Sequence, residues 1–298
     1  MRITFGSGDA AALADLERAQ AELQRYQRQV SSGKRLLQPS DDPSAMAAVV
    51  RGRGEIATVD QYVRSADSVT SRLTVVDTVM SDLISQVTTA RSAAVAGQGT
   101  TQTTQQREAT AQQLEGLRDA IFDDLNTTFR GTYLFSGSAS LTPPFARLAG
   151  GSISGYSGNN SPISVDIDKN KAIQVTFDGG SLDLAAGGPG LFANLQTLIA
   201  AVRTGDQAGM ANGLASLEQA FNEFTRVQSG VGAALNGLDD QRRRLNEMKL
   251  SSQARLSKEQ DANMAEAITG MQQANTTYQA ALGAVSTRTR LSLLDYLK

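Results

Sequence analysis

The sequence predicts a mainly α fold: a long antiparallel, coiled-coil-like helical bundle formed by the N- and C-terminal halves, with a small β-rich domain inserted in the middle. Three observations predict it. Apolar residues keep a 3-4 spacing over two very long stretches, one in each half of the chain. Between them the texture switches to short alternating runs bounded by Gly, Pro, Ser and Asn. The 298 residues include no Trp and only 5 % aromatics against 40 % hydrophobic residues. That composition suits helices sharing a long seam better than a thick globular core.

The first helix is predicted from about Asp9 to Val30. Leu13, Leu16, Leu23 and Val30 fall on a 3-then-4 spacing whose other seam positions are Gln20 and Gln27, so the seam is half polar and the helix needs a partner. Ser31-Ser32-Gly33 interrupts it. Asp42 and Pro43 then supply a restart signal: a carboxylate that can accept from a free first-turn amide, and a residue with no N–H to lose. The next helix is long, because Val59, Tyr62, Ala66, Val69, Leu73, Val76, Met80, Leu83, Val87 and Ala90 hold the spacing without a miss. Gly52 and Gly54 precede this run, each costing about 1 kcal/mol against Ala in a helix, and mark the point where continuity is open. The helix ends near Gly97-Gln98-Gly99. A third, about Thr103 to Phe129, carries Leu114, Leu117, Ile121 and Leu125 on one face, and the short connection makes it the antiparallel neighbour of the second.

At Gly131 the pattern changes. Thr142-Pro143-Pro144-Phe145 leads into a Gly/Ser/Asn-rich stretch, and the alternating runs 163–167 and 173–177 read as strands. Helix resumes with Leu191, Leu195, Leu198, Ile199 and Val202. A second long helix follows, with Leu214, Leu217, Phe221, Phe224, Val231, Leu235, Leu238 and Leu245 in register. The last carries Met264, Ile268, Met271, Asn275, Tyr278, Leu282 and Val285 on a 4-3 spacing, flanked at sevens by Ala267, Ala274 and Ala281. The expected division is therefore palindromic. Residues 1–36 with 262–298 form a terminal helical domain, 37–130 with 190–261 a long-helix bundle, and 131–189 a β-rich outer domain.

Burying a Leu or Val is worth about 1.5–3 kcal/mol, and ordering a residue costs roughly 1–2 kcal/mol. A lone pair of terminal helices is thus expected to hover near zero stability and to become fully ordered when another molecule completes the bundle. Leu13, Leu16, Leu23, Val30, Met264, Ile268, Met271, Tyr278, Leu282 and Val285 are the candidate assembly interface, with Gln20, Gln27 and Asn275 as polar seam positions that set register.

Composition excludes much chemistry. Lys plus Arg is 28 and Asp plus Glu is 30, a net charge of −2, which lacks the basic excess of a dedicated nucleic-acid binder. With no His and no Cys, imidazole bases, thiolates, disulfides and nearly all zinc or transition-metal sites are absent. Gly6-Ser7-Gly8 and Gly150-Gly151 lack the spacing and flanking elements of a nucleotide loop. The Asp166-to-Asn170 run opens like a calcium loop, but Lys171 and Phe177 stand where Gly and a bidentate Glu belong. Arg242-Arg243-Arg244, flanked by Asp239, Asp240 and Glu247, reads as a solvated helix face or an intersubunit ion pair. Asp41-Asp42 reads as a cap rather than an acid/base pair, and the sequons at Asn126 and Asn275 fall within predicted helices. No catalytic constellation survives, so neither an enzyme nor a cofactor or metal is expected. No window reaches the roughly 18 apolar residues of a membrane span, and the opening residues form no apolar stretch of a cleaved signal. The sequence is read as soluble, or as leaving the cell by a route that needs no cleaved signal.

Val30-Ser31-Ser32-Gly33-Lys34-Arg35-Leu36, followed by Ser40-Asp41-Asp42-Pro43 and set in a palindrome of terminal helices, resembles the bacterial flagellin superfamily. The opening Met1-Arg2-Ile3-Thr4, the run Gly131-Thr132-Tyr133-Leu134-Phe135-Ser136-Gly137 with 142–145, and the closing 291–297 are more similar to the superfamily's hook–filament junction subunits than to filament flagellins. The resemblance implies a structural subunit exported unfolded through the flagellar type III apparatus, with a cytoplasmic export chaperone over its C-terminal helix. It implies a ring of neighbouring copies placed extracellularly between the other junction protein, hook-associated protein FlgK, and the first flagellin layer. Flagellin itself and a non-flagellar coiled-coil scaffold are the alternatives.

Overall fold

The computed structural model describes residues 4–99, 102–149, 151–183 and 189–296, and the side chains of those from 10 to 287. Met1-Arg2-Ile3, Gly150, the Gly187-Gly188 end of the inserted segment and the final two residues lie outside the described residues. In chain order the elements are α1 (Thr4–Ser32), α2 (Pro43–Gly97), α3 (Thr104–Leu125), β1 (Thr128–Phe129), β2 (Thr132–Tyr133), β3 (Ser164–Asp168) and β4 (Lys171–Gln174). These are followed by α4 (Gly179–Leu182), α5 (Leu191–Thr204), α6 (Gln207–Gln260) and α7 (Met264–Tyr296). The mainly helical architecture with a small inserted β segment is the one the periodicity predicts. Contacts divide it into two compact units, Met1–Val59 with Glu247–Lys298, and Asp60–Asn246.

In the unit Asp60–Asn246 the predicted seam of α2 is the core. Ala66, Leu73, Val76, Met80, Leu83, Val87 and Ala90 are fully buried, facing Leu114, Ile121 and Leu125 of α3, Leu198, Ile199 and Val202 of α5 and Phe224 and Leu238 of α6. Thr103 and Gln106 start α3 with a reciprocal capping box. The Gln86 amide donates to Asp124 Oδ2 (2.7 Å) near the far end of α3, which sets α3 antiparallel to α2.

Helix α3 stops at Leu125, not at Phe129. Asn126 ends it: its amide donates to Phe122 O (3.0 Å), and its Oδ1 accepts from the Phe145 N–H (3.2 Å). The chain then turns through an antiparallel hairpin, β1 with β2, whose two connecting residues Arg130 (φ 51°) and Gly131 (φ 79°) are both left-handed. A two-residue turn needs that geometry to match strand twist, but Arg-Gly is not the Asn-Gly signature, so the sequence pattern reads as helix up to Phe129, inside β1.

The second hairpin, β3 with β4, lies where alternation predicts strands. The helices hold the insertion by polar ties as well as apolar ones. The Arg72 guanidinium of α2 donates to Val175 O (2.6 Å), Thr132 Oγ1 (3.0 Å) and Tyr133 O (3.3 Å), and Gln241 of α6 donates to Asp168 Oδ2 (2.7 Å). Phe145, fully buried, packs edge-on to Phe192 at 4.9 Å between ring centroids and against Tyr156 at 5.9 Å.

Asp183 is the one buried carboxylate among the described residues. It sits before α5 and accepts from the Leu191 N–H at Oδ1 (3.0 Å). Gly190 (φ 84°) is required beside it, since a Cβ there would lie 2.7 Å from Asp183 Oδ2. Burial pushes the Asp183 carboxyl up to about 6, against the pull of the Leu191 and Phe192 amides. Burial, opposed by the Gln86 hydrogen bond, also raises Asp124. A carboxyl raised in the folded state takes up its proton before the unfolded chain does, so folding is favoured as pH falls from about 6 to about 4. Glu223, held low by its hydrogen bond to Arg226, begins to lose its contribution only below its ordinary value of 4.5, under the range from pH 7 to pH 5. Differential scanning calorimetry should therefore show the main transition rising by roughly 4 °C between pH 7 and pH 5. Asp183→Asn, which keeps an acceptor for the Leu191 amide, should flatten that rise without lowering stability at pH 7.

Candidate functional site

The unit Met1–Val59 with Glu247–Lys298 brings the two ends of the chain together. Asp42 Oδ1 accepts from the amides of Ser44 and Ala45 (3.0 Å each), and Pro43 occupies the first helical position, so α2 begins where the cap predicts. Asp41 Oδ2 folds back to accept from the amides of Leu37 and Gln38 (2.9 Å each). These hydrogen bonds, from Gln38 first for Asp41 and from Ala45 first for Asp42, hold both carboxyls below the usual carboxylate range. Each is an anion tied to backbone amides, not a proton donor at neutral pH. Helix α2 runs unbroken through Gly52 and Gly54, and a Cβ on Gly52 would be in ordinary contact with Leu256 of α6.

Helices α1 and α7 pair antiparallel, the end of α1 lying against the start of α7. The contact is made by small residues. Ala19 of α1 and Ala267 and Ala274 of α7 are 7 %, 3 % and 5 % exposed, the most buried positions of the two helices among the described residues. Gly270 leaves room for the ring of Tyr26, since a Cβ there would stand 2.5 Å from Tyr26 Cε1. Leu16, Leu23, Tyr26 and Val30 on α1, and Met271, Tyr278, Ala281 and Val285 on α7, flank this seam half-buried.

The remaining apolar residues of the candidate interface stay outside. Leu13 is 54 % exposed, Met264 42 %, Ile268 40 % and Leu282 42 %. The seam thus runs one position round from the one the spacing first picks. It passes through Ala19 and Tyr26 rather than Gln20 and Gln27, which are exposed, as is Asn275. The heptad of alanines at 267, 274 and 281 was the signal for it, because small residues let two backbones approach closely. A second apolar stripe is left beside the pair. The pairs Arg18–Asp15 and Arg25–Glu22 (3.6 Å) decorate exposed α1 and contribute little to holding it.

The motif-like fragments resolve into structure. Gly6 and Gly8 lie within α1, and Gly151 (φ 82°) makes a turn. Asp168 is at the β3–β4 turn, bonded to Gln241. Arg242 pairs with Asp67 of α2 (3.5 Å), Arg243 with Asp239 and Arg244 with Gln241. Among the described residues no group of three or more ligating side chains could hold a metal ion, and no helix is long and apolar enough to cross a membrane. A cleft of about 440 Å³ opens between α1 and the start of α7, lined by Arg25, Gln29, Arg35, Asp41, Asn263 and Glu266. Its two cations face two anions, so it selects no ion by charge.

Fold and face together define a discontinuous helical protein: its ends are joined by a close helix pair with an unused apolar stripe, and a β-bearing segment is inserted in the middle. Residues 8–140 match the bacterial flagellin N-terminal helical region and residues 214–297 the bacterial flagellin C-terminal helical region, so the chain belongs to the bacterial flagellin family. It is 26 % identical over 304 residues to flagellar hook-associated protein 3 of Escherichia coli, covering 94 % of each chain. Its fold is shared with a putative flagellar hook-associated protein from Vibrio parahaemolyticus (TM-score 0.70, 20 % identity, 74 % of this chain and all of that one). It is shared too with the flagellar junction protein FlgL of Legionella pneumophila (TM-score 0.60, 15 % identity, 72 % of this chain and 99 % of that one).

Gly270→Leu should wedge Tyr26 out and part α1 from α7, a cost of about 1–3 kcal/mol on the pair. Far-UV circular dichroism should show lost helix and trypsin should remove both ends, while the main melting transition stays in place. Tyr26→Ala in the same chain should restore the pairing.

Proposed function

We propose that the protein is a structural subunit of the bacterial flagellum, an adaptor at the hook–filament junction that assembles by packing its terminal helices against those of neighbouring subunits. The carrying observation is the exposed stripe of Leu13, Met264, Ile268 and Leu282 beside a pair already closed by alanines. Large apolar side chains at helical spacing, left out of their own chain's seam, suit burial by further helices. The likeness to hook-associated protein 3 over 94 % of both chains supports the junction role over that of filament polymer.

In this reading residues 1–36 and 262–298 form the inner assembly domain, and Leu16, Leu23, Val30, Met271, Tyr278 and Val285 support the exposed four from the seam. Residues 37–130 and 190–261 form a surrounding layer, and 131–189 face solvent. The partners are copies of the same chain, the other junction protein FlgK, the first layer of flagellin and, before export, a chaperone. The subunit is secreted without a cleaved signal, is extracellular in the flagellum, and is not an enzyme.

Leu282→Asp tests this. The main melting transition should hardly move, because the side chain is exposed, while incorporation and filament attachment in cells are lost. Normal attachment by this variant would sink the interface. Labelled protein should appear as a ring at the distal end of the hook; a signal along the whole filament, or polymerisation of purified protein from seeds, would favour the flagellin reading instead.

A further inference from the structure

Where α1 ends, the chain makes a connection whose consequences exceed its size. Gly33 adopts a left-handed φ of 68° and its N–H donates to Gln29 O (2.9 Å), closing the helix. Lys34 then lies opposite Asp261 as an antiparallel bridge to the α6–α7 connection. The Ala262 N–H donates to Gly33 O (2.9 Å), the Arg35 N–H to Gln260 O (2.7 Å), and the Arg35 guanidinium to Glu259 O (2.8 Å). Leu36, 2 % exposed, follows, and its N–H also points at Gln260 O (3.4 Å).

The bridge stands at one end of the α1–α7 pair. Nearest to it Tyr26 fills the space over Gly270, and the seam continues outward through Ala274 and Ala19 to Leu16, Ala281 and Val285. Apolar residues off the seam are exposed at both ends, Met264 and Ile268 near the bridge and Leu13 and Leu282 far from it. Starting a helix pair is the expensive step, since the first turn fixes several dihedrals for one hydrogen bond and joining distant segments costs loop entropy. Each later turn adds contacts to an end already held.

We propose that the bridge is a clasp that seeds the pairing of α1 with α7, so that the two helices zip from Tyr26 and Gly270 outward and open in the reverse order. The inference concerns the pair itself and holds whether or not the exposed stripe docks a neighbour. A partner meeting that stripe encounters helices already aligned at their root.

Hydrogen–deuterium exchange of the full chain tests it. Gly33→Val strains the left-handed residue without filling occupied space, since nothing lies within 4 Å of the position of its Cβ. It should speed exchange about tenfold along both helices, at 12–30 and 264–285 alike. Ala281→Gly, at the far end, should speed exchange only at 12–18 and 278–287. Leu36→Ala is the second clasp variant and should repeat the first; an unchanged main melting transition reports that the rest of the chain is folded. Two results would overturn the proposal: clasp variants that leave both helices as slow as wild type, or Ala281→Gly loosening 264–274 as much as 278–287.

Discussion

Alanine and glycine line the middle of the seam where α1 meets α7, and the larger apolar side chains lie either beside that line or off it. With Ala267 and Ala274 inside and Tyr26 seated over Gly270, small residues fill the middle of the seam, and Leu16, Leu23, Met271 and Tyr278 flank it half-buried. Met264, Ile268 and Leu282 stand off the seam on α7 and stay exposed. The pair therefore trades self-sufficiency for an apolar stripe, consistent with a protein whose ends serve a larger assembly.

The unit Asp60–Asn246 follows the opposite logic. Its seam residues are large and fully enclosed by α3, α5 and α6, and its insertion is fastened by groups with fixed geometry. Arg72 spends its guanidinium on three acceptors from two different strand segments, and Gln241 holds the tip of the other hairpin. A planar donor with several N–H groups fixes orientation as well as distance. The insertion is thus bound to the helices in one attitude.

Long periodic stretches were legible in the sequence because one physical cause produced them. From Val59 to Ala90 every seam position of α2 is buried or half-buried as spaced, since three helices converge on that face. The cap at Asp42-Pro43 was equally plain, because its chemistry is local. What escaped depended on non-local geometry. The β1–β2 hairpin turns on Arg130, a residue type that rarely takes a positive φ. At the candidate interface the spacing gave two adjacent stripes on α7, one of large residues and one of alanines. Hydrophobicity ranks the first higher, whereas close approach selects the second. Residue size at sevens was the better guide to the seam, and hydrophobicity to what the seam leaves over.

Arg35 and Glu259 are 224 residues apart in sequence, and that separation has a consequence in time. A chain that emerges end-first, from a ribosome or from a narrow pore, presents one half of the latch long before the other. Until the second half appears, whichever terminal helix came first has no intramolecular companion, while the segments between can already collapse on one another. The termini are the last parts joined during such vectorial emergence, and for that interval they are open to whatever else can bind an amphipathic helix.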